Sequence, residues 1–470
     1  MSFKKELTFF DVTSIIVGSI VGADIYIAAS LTAGLLGPSA ILVWIVAGLC
    51  ATIIALVFAY CSYYVPRVGG PFAFVSEAFD DFYGFLTGWS IWIAEILSLP
   101  VFAIAFVQYL QYFIALDAYQ QILIKGVFLL SLTYINIRGV KAAGRLNDIL
   151  TIVKLAPLLI LIVVGIVYFL LHPHVLAQNY LPFAPRGFGN FGVALVVIFW
   201  AYVGFEMGTL PASEVKNPRE NIPRAIITGM IIVTIFYLLT NFIVYGTIHW
   251  TELEATKIPL VVTGSILFGT AGAVLMGVGA LVSVSGSDES GILGTARLSY
   301  AMSIDGLFPK LFSRIHPQYH TPYMALSVQG IIAFVLSIFS GITQLISFSV
   351  LNLAFAFLLT CFALLVLGRR GSKKLRGQRL LPLFGIIICV YLLYSTSLFD
   401  KVIGLTIIVL GILLYVFFSP KTDIHHLKEL FLSEEAIFVR RLERKNRFLA
   451  NFLSLLHRGY RKVKTKEQTE

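Results

Sequence analysis

The sequence predicts an all-α polytopic membrane protein with twelve transmembrane helices, and three observations predict it. Of 470 residues, 58% are hydrophobic and only 13% charged, about half the charge of a soluble domain; the mean hydropathy is +0.87. The apolar residues gather in blocks of roughly 18–28 residues, the length at which a helix crosses about 30 Å of hydrocarbon. Lys and Arg concentrate in alternate loops, which accounts for the net charge of +10 without a nucleic-acid partner.

The first block, 9–35, follows "MSFKKELTFF" and runs on too long for a signal peptide. Further blocks lie at 39–64, 83–113, 120–137 and 149–171, then at 189–211, 224–247, 267–293, 323–339 and 343–366. The last two are 381–399 and 402–418. With the N-terminus in the cytoplasm, the inner loops hold Arg67, then Arg138, Lys141 and Arg145, then Lys216, Arg219 and Arg224. They continue with Arg297, Lys310 and Arg314, then Arg369, Arg370, Lys373, Lys374, Arg376 and Arg379. The outer loops hold only Arg186, Lys257 and Lys401. This asymmetry puts both termini inside and reads as a multi-pass protein of the cell membrane, with the lipid bilayer as its first partner. Cys50, Cys61, Cys361 and Cys389 lie inside apolar blocks as small core residues. Neither a metal nor a cofactor is expected.

The chain divides into a twelve-helix domain, 1–420, and a tail, 421–470. In the tail Leu427, Leu430, Phe431, Ile437, Phe448, Leu449, Phe452, Leu453 and Leu456 recur at helical spacing among Arg and Lys. It reads as a basic amphipathic segment on the inner leaflet or under the bundle.

Two blocks are interrupted in the same way. "VGSIVGADIYIAAS" carries Gly18, Gly22 and then Asp24, and "FWAYVGFEMG" carries Gly204 and then Glu206. An acid in mid-span costs roughly 2.5–3.5 kcal/mol on insertion scales, so its presence calls for a use. The blocks lie five spans apart and so run in opposite directions, the sequence pointer to an inverted-repeat transporter with its site at the midplane.

Longer motifs sharpen this. "GFEMGTLPASEVKNPRENIPRAI" from Gly204, "GTARLSYAMSIDGLFPKLF" from Gly294 and "PRVGGPFAFVSEAF" before the third span resemble the signatures of the amino acid–polyamine–organocation permease superfamily, over roughly residues 8–418. The resemblance implies two inverted five-helix repeats, about 9–171 and 189–366, broken in helices 1 and 6, with two further helices at 381–418 and alternating access around a central site. In such permeases the first break is usually Gly-small-Gly, whose N–H groups hold a substrate carboxylate. Here the triplet is Gly22-Ala23-Asp24. A carboxylate in that place competes with the substrate's own.

Asp24 therefore has two readings: an N-cap for the half-helix from Ile25 onward, or a counter-ion for a substrate ammonium. Glu95, in "GWSIWIAEILSLPVF", stands roughly fourteen residues beyond Asp81, about 21 Å into the membrane. It is either paired structurally or part of the site; the stretch resembles the polyamine-transporting branch, which carries acids at both points. Trp200, Tyr202 and Phe205 near the second break are either packing or a gate that stacks on an organic cation. Lys154, Asp288 and Glu289 are charges at depth; structural pairing is one expectation. The other follows from the family resemblance: a lysine ammonium replaces a sodium ion between spans 1, 5 and 8, near Gly18, or carries a proton.

The expected function is a secondary or facilitative transporter of amino acids or polyamines, leaning to a cationic amine, with protons as a candidate coupling ion. The alternatives are an ordinary zwitterionic amino acid permease and a membrane nutrient sensor that does not transport. The sequence carries no convincing nucleophile–base set and no phosphate loop, which argues against an enzyme and an ATP-driven pump.

Overall fold

The computed structural model describes residues 7–66, 69–138, 143–209, 212, 215–370, 375 and 377–418, the side chains of 143–152 apart. Arg67, Lys141, Lys373, Lys374, Arg376, the Arg145 side chain and the amphipathic tail lie outside the described residues.

Sixteen α-helices follow one another in the described residues. They are α1 (Phe9–Ile20), α2 (Ala23–Leu36), α3 (Ala40–Tyr64), α4 (Pro71–Ala78), α5 (Asp81–Leu110), α6 (Ala118–Arg138), α7 (Ala143–Leu171) and α8 (Pro173–Tyr180). The series continues with α9 (Phe191–Ala201), α10 (Pro218–Thr247), α11 (Trp250–Ala255), α12 (Pro259–Ile304), α13 (Tyr323–Phe339), α14 (Ile342–Arg370), α15 (Leu380–Ser395) and α16 (Leu398–Phe418). Residues up to Tyr415 form one unit; of the second, Val416–Glu470, only the last turn of α16 is described. Nine described stretches are long and apolar enough to cross a membrane, the first being the whole run Phe9–Tyr64. Tyr323–Phe339 and Leu380–Ser395 are apolar but shorter.

The expected spans fall on these helices, with differences that have local causes. The first block is two helices because Val21 and Gly22 leave helical geometry. The sixth ends as α-helix at Ala201 and resumes as a 3₁₀ turn, Phe205–Thr209. The eighth begins earlier than 267: Pro259 opens α12, which kinks at Phe268 and Gly269. Three short helices, α4, α8 and α11, occupy stretches expected to be loops; α4 and α8 each open on a proline, pre-set for a first helical turn.

The family-like motifs prove to be helix-end devices. In "SIDGLFP", Leu307 N–H donates to Met302 O and Gly306 N–H to Ser303 O, with Gly306 at φ 77°. That is a Schellman ending, which needs a residue at ease with positive φ. In "VKNPREN", Asn217 takes left-handed geometry ahead of Pro218, and Asn221 Nδ2 closes on Lys216 O at 2.5 Å. At the same end of the bundle, Lys216 N–H donates to Leu7 O at 2.8 Å, so the segment before α1 pairs with the segment after the second break. Thr8 and Asp11 then cap α1 reciprocally.

The core sits where α1, α2, α5, α9, α10 and α12 converge. There α10 packs on α1 and α3, α12 on α5 and α7, and α9 on α2 and α3, with α14 behind α5.

Candidate functional site

A helix that stops inside a bundle leaves its last four carbonyls without partners. At the end of α1 other helices supply the missing donors. Lys154 Nζ, 1% exposed, donates to Gly18 O, and Ser287 Oγ also lies 3.1 Å from that carbonyl. Tyr237 OH lies 3.0 Å from Ile20 O. Ser287 Oγ reaches Val21 O at 2.7 Å and Ser283 Oγ reaches it at 3.4 Å. Lys154 Nζ bonds Ser287 Oγ as well, at 3.0 Å. The expected pairing of Lys154 with Asp288 or Glu289 is not how its hydrogen bonds are made. Its ammonium serves the broken end of α1, with Asp24 and Glu289 as charged neighbours.

The two acids beside the breaks behave alike. Asp24 Oδ1 accepts from Gly22 N–H at 2.8 Å, and Glu206 Oε2 accepts from Gly204 N–H at 3.1 Å. In each case the carboxylate reaches back two residues to the glycine of its own break. Asp24 is thus not an N-cap in the expected sense: α2 begins at Ala23 with Gly22 as its cap residue, and the Asp24 hydrogen bonds run to Gly22 and Tyr237 and not to the N–H groups from Ile25 onward. Its Oδ2 accepts instead from Tyr237 OH. Glu206 Oε1 meets no donor, and Glu95 is its electrostatic neighbour. Two carboxyls so close either share a proton or bracket a cation.

The breaks touch. Gly204 has φ 122°, and a Cβ there would lie 3.0 Å from the backbone at Ser19 and Ile20. Glycine is required both for the dihedral and for the approach of one backbone to the other.

Between the breaks lies a cavity of about 40 Å³, lined by Asp24, Glu95, Ser98, Phe102, Trp200 and Gly204, among others. That holds a few waters but no amino acid, so the centre is closed. Phe102 and Trp200 stand 5.9 Å apart over it, and Trp200 Nε1 donates to Ser98 Oγ at 3.0 Å, which bonds Ser349 Oγ at 3.1 Å. Farther along α2 a larger cavity, about 410 Å³, is lined by Ile27, Ser30, Ile104, Gln108, Lys125 and Glu254, with others.

Of the residues singled out from sequence, Asp24, Glu95, Trp200 and Gly204 line the small cavity. Gly22 and Glu206 adjoin it through the contacts above, and Ala23 is buried in the first turn of α2. Tyr202 turns away: its hydroxyl donates to Trp44 O at 3.2 Å, and its ring packs 5.2 Å from Tyr237. Phe205 packs against Phe58 and Phe357, which also touch each other. Gly18 and Lys154 belong to the end of α1; Asp288 and Glu289 sit on α12 just beyond Ser287 and are buried. Sequence reasoning missed Tyr237, Ser287, Ser98 and Phe102. Ser283 and Ser287, four residues apart in "VSVSGSDES", were a usable sign, since they share a helix face. Tyr237, one tyrosine among many in apolar blocks, gave none.

Known proteins resemble this chain along most of its length. The branched-chain amino acid permease BcaP of Bacillus subtilis (strain 168) is 28% identical over 448 residues, covering 89% of this chain and 94% of that protein. The methylthioribose transporter of the same organism is 26% identical, over 89% of this chain and 94% of its own length. Its serine/threonine exchanger SteT is also 26% identical, over 86% and 94%. The family model described as amino acid permease matches residues 7–431. The chain is therefore a multi-pass membrane transporter, not an enzyme, and belongs to the amino acid permease family.

Proposed function

We propose that this permease carries a cationic amine, or an amino acid with a cationic side chain, across the cell membrane by alternating access. The observation that carries the reading is the lining of the central cavity: Asp24 and Glu95, with Glu206 behind, and no Lys or Arg. Gly22 N–H, which a substrate carboxylate would need, is taken by Asp24. A carboxylate entering there meets a like charge, whereas an ammonium meets opposite ones. The second reading, a zwitterionic amino acid, is favoured by relatives named for branched-chain amino acids and for serine and threonine.

The architecture proposed with it has twelve crossings. The run Phe9–Tyr64 counts as two, and the shorter α13 and α15 each count as one. Inverted repeats cover about 9–171 and 189–366, α15 and α16 are added within a domain of 1–420, and both termini and the tail 421–470 are cytoplasmic. The like use of Gly22 with Asp24 and of Gly204 with Glu206 supports the repeat. The larger cavity is then the outer vestibule, one turn along α2 from the centre. Lys154, held at Gly18 O with Glu289 as a charged neighbour, forms an ion-like centre, and Asp288 stands on α12 as the acid next to Ser287.

A monovalent substrate crossing 100 mV gains about 2.3 kcal/mol, enough for roughly fiftyfold accumulation. Cationic uptake thus needs no coupled ion, while a zwitterion needs a proton or an exchange partner. Uptake of labelled leucine, serine, glutamate, lysine, putrescine and spermidine into proteoliposomes tests the proposal. Preference for lysine or the polyamines supports it. Uptake of leucine or serine alone favours the second reading.

A further inference from the structure

Among the described residues seven carboxyl or lysine side chains are buried: Asp24, Glu95, Lys154, Glu206, Asp288, Glu289 and Asp400. Six have an evident partner. Asp24 and Glu206 hold the break glycines, and Glu95 adjoins Glu206. Lys154 holds the end of α1, Glu289 lies in the field of Arg297 and Lys154, and Asp400 accepts from Ser347 Oγ at 2.6 Å. Asp288 is different. It is 0% exposed, and neither carboxyl oxygen has a hydrogen-bond donor.

α12 packs on α1, α2, α5, α6, α7, α10 and α13. The buried charges these helices bring are Asp24, Glu95 and Lys154, all engaged elsewhere. Lys125 on α6 is bonded to Ser337 O and Arg138 to Tyr134 OH. Arg219, Glu220 and Arg224 stand in the first turns of α10, and α13 carries no charge. The charge that acts on Asp288 is that of its chain neighbour Glu289, of the same sign. Among the described residues an ionised carboxylate in such a place has neither donor nor counter-ion, and it costs several kcal/mol, far more than the neutral acid.

Asp288 is also well placed to feel the transport cycle. The residue before it, Ser287, accepts from Lys154 Nζ and has its one hydroxyl proton between Val21 O, at 2.7 Å, and Gly18 O, at 3.1 Å. Asp288 is thus the chain neighbour of the residue that ties α12 to the broken end of α1.

We infer that Asp288 is a proton-binding site of the transport cycle, holding its proton while the centre is closed as here and giving it to water of the compartment toward which α12 opens. The inference rests on the transporter reading of the central cavity and adds the coupling proton to it. In this arrangement Lys154 remains a fixed cation that closes the broken end of α1.

Two measurements test it. In proteoliposomes, labelled leucine and putrescine are each followed twice, as accumulation driven by an inward proton gradient and as counterflow without a gradient. Asp288→Asn is expected to lower the ratio of accumulation to counterflow at least tenfold. A merely structural role would lower both together and leave the ratio unmoved, which would overturn the assignment, as would wild-type accumulation indifferent to the gradient. If Asp288→Asn does not fold, Asp288→Ser is read in the same way. Infrared spectra of the purified full chain at neutral pH give the second measurement, independent of any substrate. A protonated-carboxyl band present in the wild type and missing from the variant is expected; identical spectra would overturn the inference. Failure of the transporter reading would look different, as wild-type protein without flux of either compound and with the infrared band intact.

Discussion

Tyr237 on α10 donates its hydroxyl to Asp24 on α2 while lying 3.0 Å from the carbonyl of Ile20 at the end of α1. One phenol thus joins the two halves of an interrupted helix. Its ring is held edge-on by Trp44, 5.6 Å away, so the hydroxyl is aimed by packing rather than by chance.

Tyr237→Phe keeps that packing and removes the hydroxyl. The single O–H proton is lost, so Asp24 Oδ2 loses its donor and Ile20 O its polar neighbour, at a cost of about 1–3 kcal/mol for a buried group left unsatisfied. We expect a lowered thermal midpoint in detergent and weaker binding of a cationic amine, measured by thermal unfolding and by ligand titration. A Phe variant as stable and as tight as wild type would remove Tyr237 from the centre.

Asp24→Asn separates charge from hydrogen bonding. The amide oxygen of Asn still accepts from Gly22 N–H, so expression and thermal stability should stay near those of the wild type. Binding of a diamine should weaken by about 1.5–3 kcal/mol, the scale of a hydrogen bond to a charged group. Asp24→Gly frees the Gly22 amide and should shift preference toward zwitterionic amino acids in competition uptake. An unchanged diamine affinity in the Asn variant would reduce Asp24 to a support of the break.

Glu206→Gln replaces the carboxyl next to Glu95 but can keep the bond from Gly204. Transport should fall at least about tenfold, or 1.4 kcal/mol, with the folded fraction unchanged by size-exclusion chromatography. Full transport by a well-folded Gln variant contradicts a role in the cycle.

Gly204→Ala puts a methyl group against the backbone at Ser19 and Ile20 and forces an L-residue to φ 122°. Strain of this kind costs about 1–3 kcal/mol. The variant should melt earlier and transport little, because the two breaks can no longer approach. Wild-type uptake by this variant would show that their contact is dispensable.

Lys154→Ala leaves Gly18 O and Ser287 without their ammonium, and Lys154→Arg preserves the charge. The Ala variant should lose thermal stability and activity; the Arg variant should retain measurable exchange. Equal and full activity in both would take Lys154 out of the mechanism.

The sequence by itself determined whatever depends on neighbours along the chain. Apolar run lengths gave the helices, because a segment that satisfies its own backbone needs no distant partner to be recognised. Gly22 with Asp24, and Gly204 with Glu206, marked the breaks, since each carboxylate reaches a glycine only two residues away. "SIDGLFP" and "VKNPREN" stood out in the sequence as family-like motifs, and the structure adds that they are helix ends, whose glycine and proline act through local dihedral preferences. Tertiary structure alone decided what the acids and the lysine touch. Tyr237 meets Asp24 across 213 residues of chain, and Lys154 meets Gly18 across 136. The orphan carbonyls of α1 accept from whichever donor the bundle brings near, which helical periodicity does not specify. Tyr202 turned to Trp44 and Trp200 to Ser98 though they stand two residues apart, because the α-helix ends between them and side-chain direction there follows the packing of the break.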